Sequence, residues 1–331
     1  MKHFTTIYDI PDPNTLIEGA LQLKQNPFAH SDLGKNKTLG LIFLNPSLRT
    51  RLSTQKAARM LGMEVMVMNL DKEGWAMEWN DDVIMNGNTV EHIKDAAAVL
   101  GSYCDIIGMR AFPTLTDQKL DYSEKSFVQL MRYCNVPVVS LESATLHPLQ
   151  SLADAITIKE NWNKTHKPKV VMTWAPHIKA LPQAVPNSFA EWMTKLDVDF
   201  TIAHPEGYEL CEDYTKGATI EYDQEKALKE ADFVYVKNWS AYHDYGQMPT
   251  VKKNWIMDLN KYSLTNQAGI MHCLPVRRDL ELSSKLIDHP NSLIQQQAAN
   301  RVHSAQVVLK RILEGLPKTK ATIENLELQE A

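Results

Sequence analysis

The sequence predicts an α/β protein made of two parallel-sheet domains. Three observations carry that prediction. Eight short apolar runs recur along the chain, and helical patterns separate most of them, the alternation that builds parallel sheets covered by helices. The first run is short and bounded by turn residues, as a buried strand is. A length of 331 residues suits two domains of ordinary size with a substantial core.

Taken in order, the first strand covers Leu39–Leu44 and stops at Asn45-Pro46-Ser47, because proline disfavours helix in the residue before it. Helical spacing then begins: Leu48, Leu52, Ala57 and Leu61 form the face expected to be buried, within a helix expected over Thr50–Leu61. Strands are expected at Glu64–Met68, Asp105–Met109 and Pro137–Leu141, with helices at Thr89–Gly101 and Ser123–Tyr133 between them. A helix over Leu149–Trp162 bridges the two halves. The second half repeats the pattern: strands Lys169–Trp174, Asp199–Ala203, Asp232–Lys237 and Ala268–His272, helices Asn187–Leu196, Gln224–Glu230 and around Tyr262. The expected domains are therefore 1–148 and 149–297, with an amphipathic run, Ala298 to Leu313, returning as a helix (298–315) to the first. The polar tail after Gly315 is expected to fray.

Composition excludes several classes. The chain is 44% hydrophobic and 23% charged, values of a globular protein rather than a disordered or fibrous one. A net charge of −5 offers no basic surface for nucleic acid or an anionic membrane. No apolar run approaches the roughly 18 residues a membrane span needs, and the polar, proline-broken start MKHFTTIYDIPDP does not read as a leader. Cys104, Cys134, Cys211 and Cys273 lack metal or redox spacing, so small buried hydrophobes in a reducing cytoplasm are expected. Neither a cofactor nor a metal is expected, since GxGxxG and GxxxxGK[ST] are both missing.

In open α/β sheets, ligands bind beyond the carboxyl ends of strands. Those ends carry Ser47–Arg51, Arg110, Glu142 with His147 and Gln150, His177, Lys237, and His272 to Arg278. Arg49 and Arg51 fall in the first turn of a helix whose N-cap is Ser47; cations there oppose the helix dipole unless an anion neutralises them. Free N–H groups, the hydroxyls of Ser47 and Thr50, and two guanidinium forks make a phosphate site. An ordinary strand-turn-helix with its arginines in water stands as the alternative.

The order Ser47-Leu48-Arg49-Thr50-Arg51, Arg110, His147-Pro-Leu-Gln150, His272-Cys-Leu-Pro275 and Gln297-Ala-Ala-Asn-Arg301 resembles the aspartate/ornithine transcarbamylase family over nearly the whole chain. The last motif carries Gln where the family pattern has Glu. The resemblance implies that Ser47, Leu48, Arg49, Thr50 and Arg51 grip the phosphate of carbamoyl phosphate. Arg110, His147 and Gln150 would surround the carbamoyl group, with Arg301 in support. No covalent nucleophile is required, so Cys273 can be a packed thiol or a backbone contact beside Leu274.

The second substrate separates the members. The chain lacks the acidic residue and S-M-G loop of ornithine enzymes and the lysine-bearing loop of aspartate enzymes. Trp75, the stretch His177–Met193 and Lys237-Asn-Trp resemble the N-acylornithine branch. That branch implies His177, Lys237, Arg277 and Arg278 for carboxylates, with Glu142, Pro182, Cys273 and Leu274 also on the acylornithine side; Arg278 could equally form a structural salt bridge. Where N-acetylornithine enzymes resemble this chain they have Glu at the position of Val90 and Asn at that of Pro182, whereas N-succinylornithine enzymes have Pro at both. An uncharged Val90 would not repel a succinyl carboxylate, which favours N-succinylornithine, with N-acetylornithine the alternative. Trp75 and Val90 would reach a neighbouring subunit's site in a homotrimer, and the Ala175–Pro186 loop would belong to a trefoil knot. A non-enzymatic anion sensor on this fold would keep the phosphate loop and lose the second set of cations.

Overall fold

The computed structural model describes residues 1–70 and 72–317. Residues 318–331 of the tail expected to fray lie outside the described residues. Two parallel sheets dominate. The first has the order β2-β1-β5-β6, from β1 (Thr38–Phe43), β2 (Glu64–Asn69), β5 (Ile106–Arg110) and β6 (Val138–Glu142). The second runs β11-β10-β7-β8-β9, from β7 (Lys169–Trp174), β8 (Asp199–Ala203), β9 (Thr219–Glu221), β10 (Phe233–Lys237) and β11 (Gly269–Met271). Their central strands are buried residue after residue, because helices cover both faces. A two-residue pair, β3 (Met77–Glu78) and β4 (Glu91–His92), forms a small separate ribbon.

The larger helices are α1 (Pro13–Gln25), α2 (Leu48–Met60), α3 (Ile93–Tyr103), α5 (Lys125–Tyr133), α6 (Pro148–Glu160), α7 (Ala184–Met193) and α12 (Ile294–Gly315). Shorter ones are α4 (Gln118–Tyr122), α8 (Glu212–Thr215), α9 (Gln224–Leu228), α10 (Leu259–Tyr262) and α11 (Ser284–Ile287). Helix α6 is buried along most of its length, and α12 packs against α1, α2 and α6. One contiguous apolar core therefore runs from Leu39 and Leu41 of the first sheet through Leu152 and Ile156 of α6 to Val171 and Val234 of the second.

Three expectations are corrected. The buried face of α2 is Thr50, Thr54, Ala57 and Ala58, continued by Leu61, while Leu48 and Leu52 are 70% and 58% exposed. Small side chains let α12 approach closely, and the two leucines fall on the far side. The helix expected from Thr89 starts at Ile93, because Glu91 and His92 pair in the ribbon and His92 Nδ1 accepts the Lys94 N–H as a cap. The helix expected from Asn187 begins three residues earlier, at Ala184. Helix α1 escaped the pattern, although Asp12 caps it and Pro13 opens it, the usual residues for a helix start.

The loop after β10 docks on the first half of the chain. Tyr245 donates to Asp121 Oδ2 at 2.9 Å, and Gln118 Nε2 donates to the Tyr242 carbonyl at 2.8 Å. Gly246 makes the close approach possible. Its φ is +71°, and a Cβ there would lie 2.0 Å from the Leu115 carbonyl oxygen.

All four cysteines are free and buried. Among the described residues no three potential metal ligands cluster, and no helix is long and apolar enough to cross a membrane.

Candidate active site

The carboxyl ends of both sheets open on one cleft of about 470 Å³. Its floor at the first sheet is the N-terminus of α2. Ser47 is the N-cap but makes no side-chain capping bond, leaving the first-turn N–H groups to whatever enters. Ser47, Leu48, Arg49 and Thr50 all line the cleft. The buried Thr50 hydroxyl receives two guanidiniums, Arg301 Nη2 from α12 and Arg110 Nη1 from the end of β5 at 3.5 Å. Arg110 also pairs with Glu142 Oε2 at the end of β6, and Arg49 Nε and Arg110 Nε have no partner among the described residues.

Glu142 is the one carboxylate lining this cleft among the described residues. Burial pushes its carboxyl up, against the pull of Arg110, Arg301 and Lys237. His147 lies 3.6 Å from Glu142, and its Nε2 faces Arg301 Nη2 at 3.4 Å. Burial first, then Arg301 and Arg110, hold the imidazole well below its ordinary range, so the ring is neutral at pH 7. Arg301 donates toward Nε2, which assigns the ring proton to Nδ1, and that atom has no partner among the described residues. Burial also lowers Arg301 to about 10, still charged at neutral pH.

The second sheet supplies the opposite wall. Lys237, at the end of β10, is 8% exposed, and its carbonyl accepts from the Ala175 N–H while its Nζ makes no hydrogen bond or ion pair among the described residues. Arg277 Nε donates to His177 Nε2 at 3.1 Å, and His177 Nδ1 lies 2.9 Å from the Lys179 carbonyl. The Lys179 N–H also lies 3.2 Å from that Nδ1, so the His177 ring is held by its own loop and stands against Arg277. Behind them, His272 and the Arg277 N–H more than offset the effect of burial on Glu281, keeping it ionised. Leu274 turns into the cleft with φ +57°, a left-handed conformation that a leucine adopts only where surroundings impose it, before a cis Leu274–Pro275 peptide. Cys273 is buried with its thiol pushed up by burial, the setting of a packed thiol and not of a nucleophile.

The arrangement brings cationic side chains from both sheets to one cleft. Residues 2–160 match a family model described as the aspartate/ornithine carbamoyltransferase carbamoyl-P binding domain, and residues 182–312 match its Asp/Orn binding domain. The chain belongs to the aspartate/ornithine carbamoyltransferase family. It is 51% identical over 318 residues to an N-succinylornithine carbamoyltransferase of Bacteroides thetaiotaomicron, covering 96% of this chain and 100% of the relative. An N-acetylornithine carbamoyltransferase of Xanthomonas campestris pv. campestris is 33% identical over 335 residues, 95% of this chain and 98% of the relative. The fold matches a crystal structure of an N-acetyl-L-ornithine transcarbamylase with Glu replaced by Val, complexed with carbamyl phosphate and N-succinyl-L-norvaline, at a TM-score of 0.89 and 33% identity, covering 94% of this chain and 100% of that one.

As a carbamoyltransferase-family chain, it gathers most of the residues its sequence marks. Gln150, Pro182, Cys273 and Leu274 join those already placed in the cleft. Four others lie elsewhere. Arg51 reaches Asn69 of β2 at 3.5 Å. Arg278 forms a bidentate pair with Asp288 at 2.7 and 2.8 Å, the structural salt bridge held open by its sequence. Trp75 and Val90, 55% and 64% exposed, stand on the ribbon away from this cleft. Glu142, expected on the acylornithine side, is held by Arg110. Sequence reasoning passed over Lys179, which lines the cleft within the stretch beginning at His177, and Asp154, which lies one turn beyond Gln150 and holds its amide.

Proposed function

We propose that this carbamoyltransferase moves the carbamoyl group of carbamoyl phosphate to the side-chain amine of N-succinyl-L-ornithine, giving N-succinyl-L-citrulline and phosphate in arginine biosynthesis. The observation that carries the reading is the distribution of cations, Arg49, Arg110 and Arg301 at one end of the cleft and Lys237, Arg277 and Lys179 at the other. The 51% identity to an N-succinylornithine carbamoyltransferase supports the acyl group.

In this reading the phosphate sits on the α2 N-terminus against Ser47, Leu48, Arg49 and Thr50, with Arg51 adding charge and Trp75 closing the site from a neighbouring subunit. The amine nitrogen attacks the carbonyl carbon, the new C–N bond forms, and the C–O bond to phosphate breaks. Charge that develops on the carbonyl oxygen meets Arg110 and the Nδ1–H of His147, each such donor being worth about 3–4 kcal/mol. Glu142 keeps Arg110 in place. An alkylamine has a pKa near 10.4 in water; the cations around it favour the neutral amine, and the departing phosphate takes its proton. Lys237 and Arg277, the latter aimed by His177, hold carboxylates, while Pro182, Cys273 and Leu274 shape the space between. Arg278 has no part in binding while Asp288 holds it.

Val90 stands, by resemblance, where N-acetylornithine enzymes carry Glu. The Glu-to-Val relative crystallised with N-succinyl-L-norvaline supports the view that losing this carboxylate admits a succinyl group. N-Acetylornithine is the second reading, favoured by the absence of proline at that position. The exposed ribbon, with Trp75 and Val90, suits a homotrimer with shared sites. The division into domains 1–148 and 149–297, the trefoil knot through Ala175–Pro186 and a cytoplasmic location rest on the sequence features that suggested them.

The deciding experiment assays citrulline-derivative formation from ornithine, N-acetylornithine and N-succinylornithine side by side. Preference for the succinyl substrate is expected. Preference for acetyl establishes the second reading, and carbamoyl phosphate binding without turnover of any amine would establish an anion sensor.

A further inference from the structure

Helix α6 brings Gln150 into the cleft and, one turn later, a carboxyl group that the reaction above leaves unused. Asp154 is completely buried, at 0% exposure. Its Oδ1 accepts from Gln150 Nε2 at 2.7 Å and from Gln297 Nε2 at 2.7 Å. A carboxylate only accepts, so both amides must turn their NH2 groups toward it. Burial lifts Asp154 to about 7, but a protonated carboxyl still keeps an oxygen that accepts. With its NH2 engaged there, Gln150 leaves Oε1 buried and without a partner among the described residues, on a side chain lining the cleft. Gln297 is turned in the same way. Its Oε1 accepts the His272 N–H at 2.8 Å and so holds the chain just where Cys273-Leu274-Pro275 enters the cleft.

We infer that Asp154 is a positioning residue, which pins the Gln150 amide from behind so that its oxygen accepts from the NH2 of the carbamoyl donor. The inference rests on the reading that the cleft takes carbamoyl phosphate. An unrestrained amide offers oxygen or NH2 with equal ease; a pinned one offers oxygen alone. Carbamoyl and acetyl phosphates differ by NH2 against CH3, and a buried acceptor left unpaired costs affinity. Asp154 therefore selects carbamoyl over acyl phosphates without touching either. The same geometry explains glutamine at position 297. A glutamate there could also accept from His272, but it would meet Asp154 only by sharing a proton with it, whereas glutamine donates to it directly.

The test uses the full chain and two stable phosphonates, phosphonoacetamide and 2-oxopropylphosphonate, which differ as NH2 and CH3. Calorimetry on the unaltered protein should show about tenfold tighter binding of the amide. In Asp154→Leu that preference should shrink to about twofold through loss of amide affinity, with the ketone bound as before. Asp154→Asn, whose single carbonyl oxygen can accept from both amides, should keep the preference. An Asp154→Leu chain that retains the full preference, or that loses both ligands in parallel, overturns the inference. Should the leucine chain not fold, Asp154→Thr offers one hydroxyl oxygen for two amides and must show a reduced preference for the inference to stand. Equal binding of both phosphonates by the unaltered protein overturns the inference alone, whereas binding of neither overturns the carbamoyl phosphate reading beneath it.

Discussion

At the scale of single residues, the cleft is a set of charges balanced by burial. Arg110 faces the carbonyl oxygen of the donor in the reading above, and it also neutralises Glu142. Arg110→Gln should lower kcat by about 10²- to 10³-fold, the loss typical of one oxyanion donor. Its effect on Tm should be smaller, because Arg301 and Lys237 still face Glu142 and that carboxyl already inclines to take a proton. Steady-state kinetics beside a thermal melt checks both. Titration has a sign that can be worked out. His147 and His272 are held below the ordinary histidine value, so below about pH 6.5 the unfolded chain gains protons that the folded chain refuses, and stability falls with pH. Asp154 works the other way. With Arg301, Tyr235 and Cys273 around it and its carboxyl at about 7, the folded chain holds a proton that the unfolded chain releases near pH 4, so stability falls as pH rises from about 4 to 7. Asp154→Asn removes that second slope, so the change in stability from pH 5 to pH 8 in urea melts should shift toward greater stability at pH 8 than in the unaltered chain. Position by position, the charged donors of the cleft were legible because they follow strand ends in recognisable motifs. Which of two adjacent arginines enters the cleft was not, since Arg277 and Arg278 differ only in whether Asp288, ten residues on, is near enough to capture one. Lys179 carried no signal beyond its neighbourhood, while Asp154, four residues from Gln150 on one helix face, could have been found by helical spacing alone.

At the scale of elements, strands were read well and edges poorly. Lys169–Trp174 and Asp199–Ala203 are strands over the predicted residues because each is a mostly apolar, buried run in a sheet covered on both sides. Thr219–Glu221, an exposed edge strand, and the two-residue strands of the ribbon have too few buried positions to leave a pattern. The apolar stripe of α2 misled for a different reason: close helix packing favours Thr and Ala, which a hydrophobicity pattern undervalues. Two predictions belong here. Gly246→Ala forces a left-handed residue and a Cβ against the Leu115 carbonyl, so the loop carrying Tyr242 and Tyr245 must shift; a loss of about 1–3 kcal/mol in denaturant melts is expected. On the ribbon, Val90→Glu should move preference from the succinyl toward the acetyl substrate, read as the ratio of kcat/KM values. Unchanged ratios would remove residue 90 from the acyl site.

The whole molecule is two sheets closed over a shared core, with cleft-lining groups from both. If the ribbon completes a neighbour's site, an Arg49→Ala chain and a Trp75→Ala chain, each inactive alone, should regain part of the unaltered rate when unfolded and refolded together, because some hybrid sites then receive neither lesion. No recovery on mixing would confine each site to one subunit. The two-sheet architecture was legible from alternation alone, but the union of the halves was not, because α6 and α12 bury residues against partners far apart in sequence. Helix α12 has one more consequence. Arg301, which grips Thr50 from 251 positions away, comes from that last helix. A growing polypeptide on the ribosome therefore cannot complete this end of the cleft until nearly all of it has been made, and a chain released early leaves the Thr50 hydroxyl to Arg110 alone.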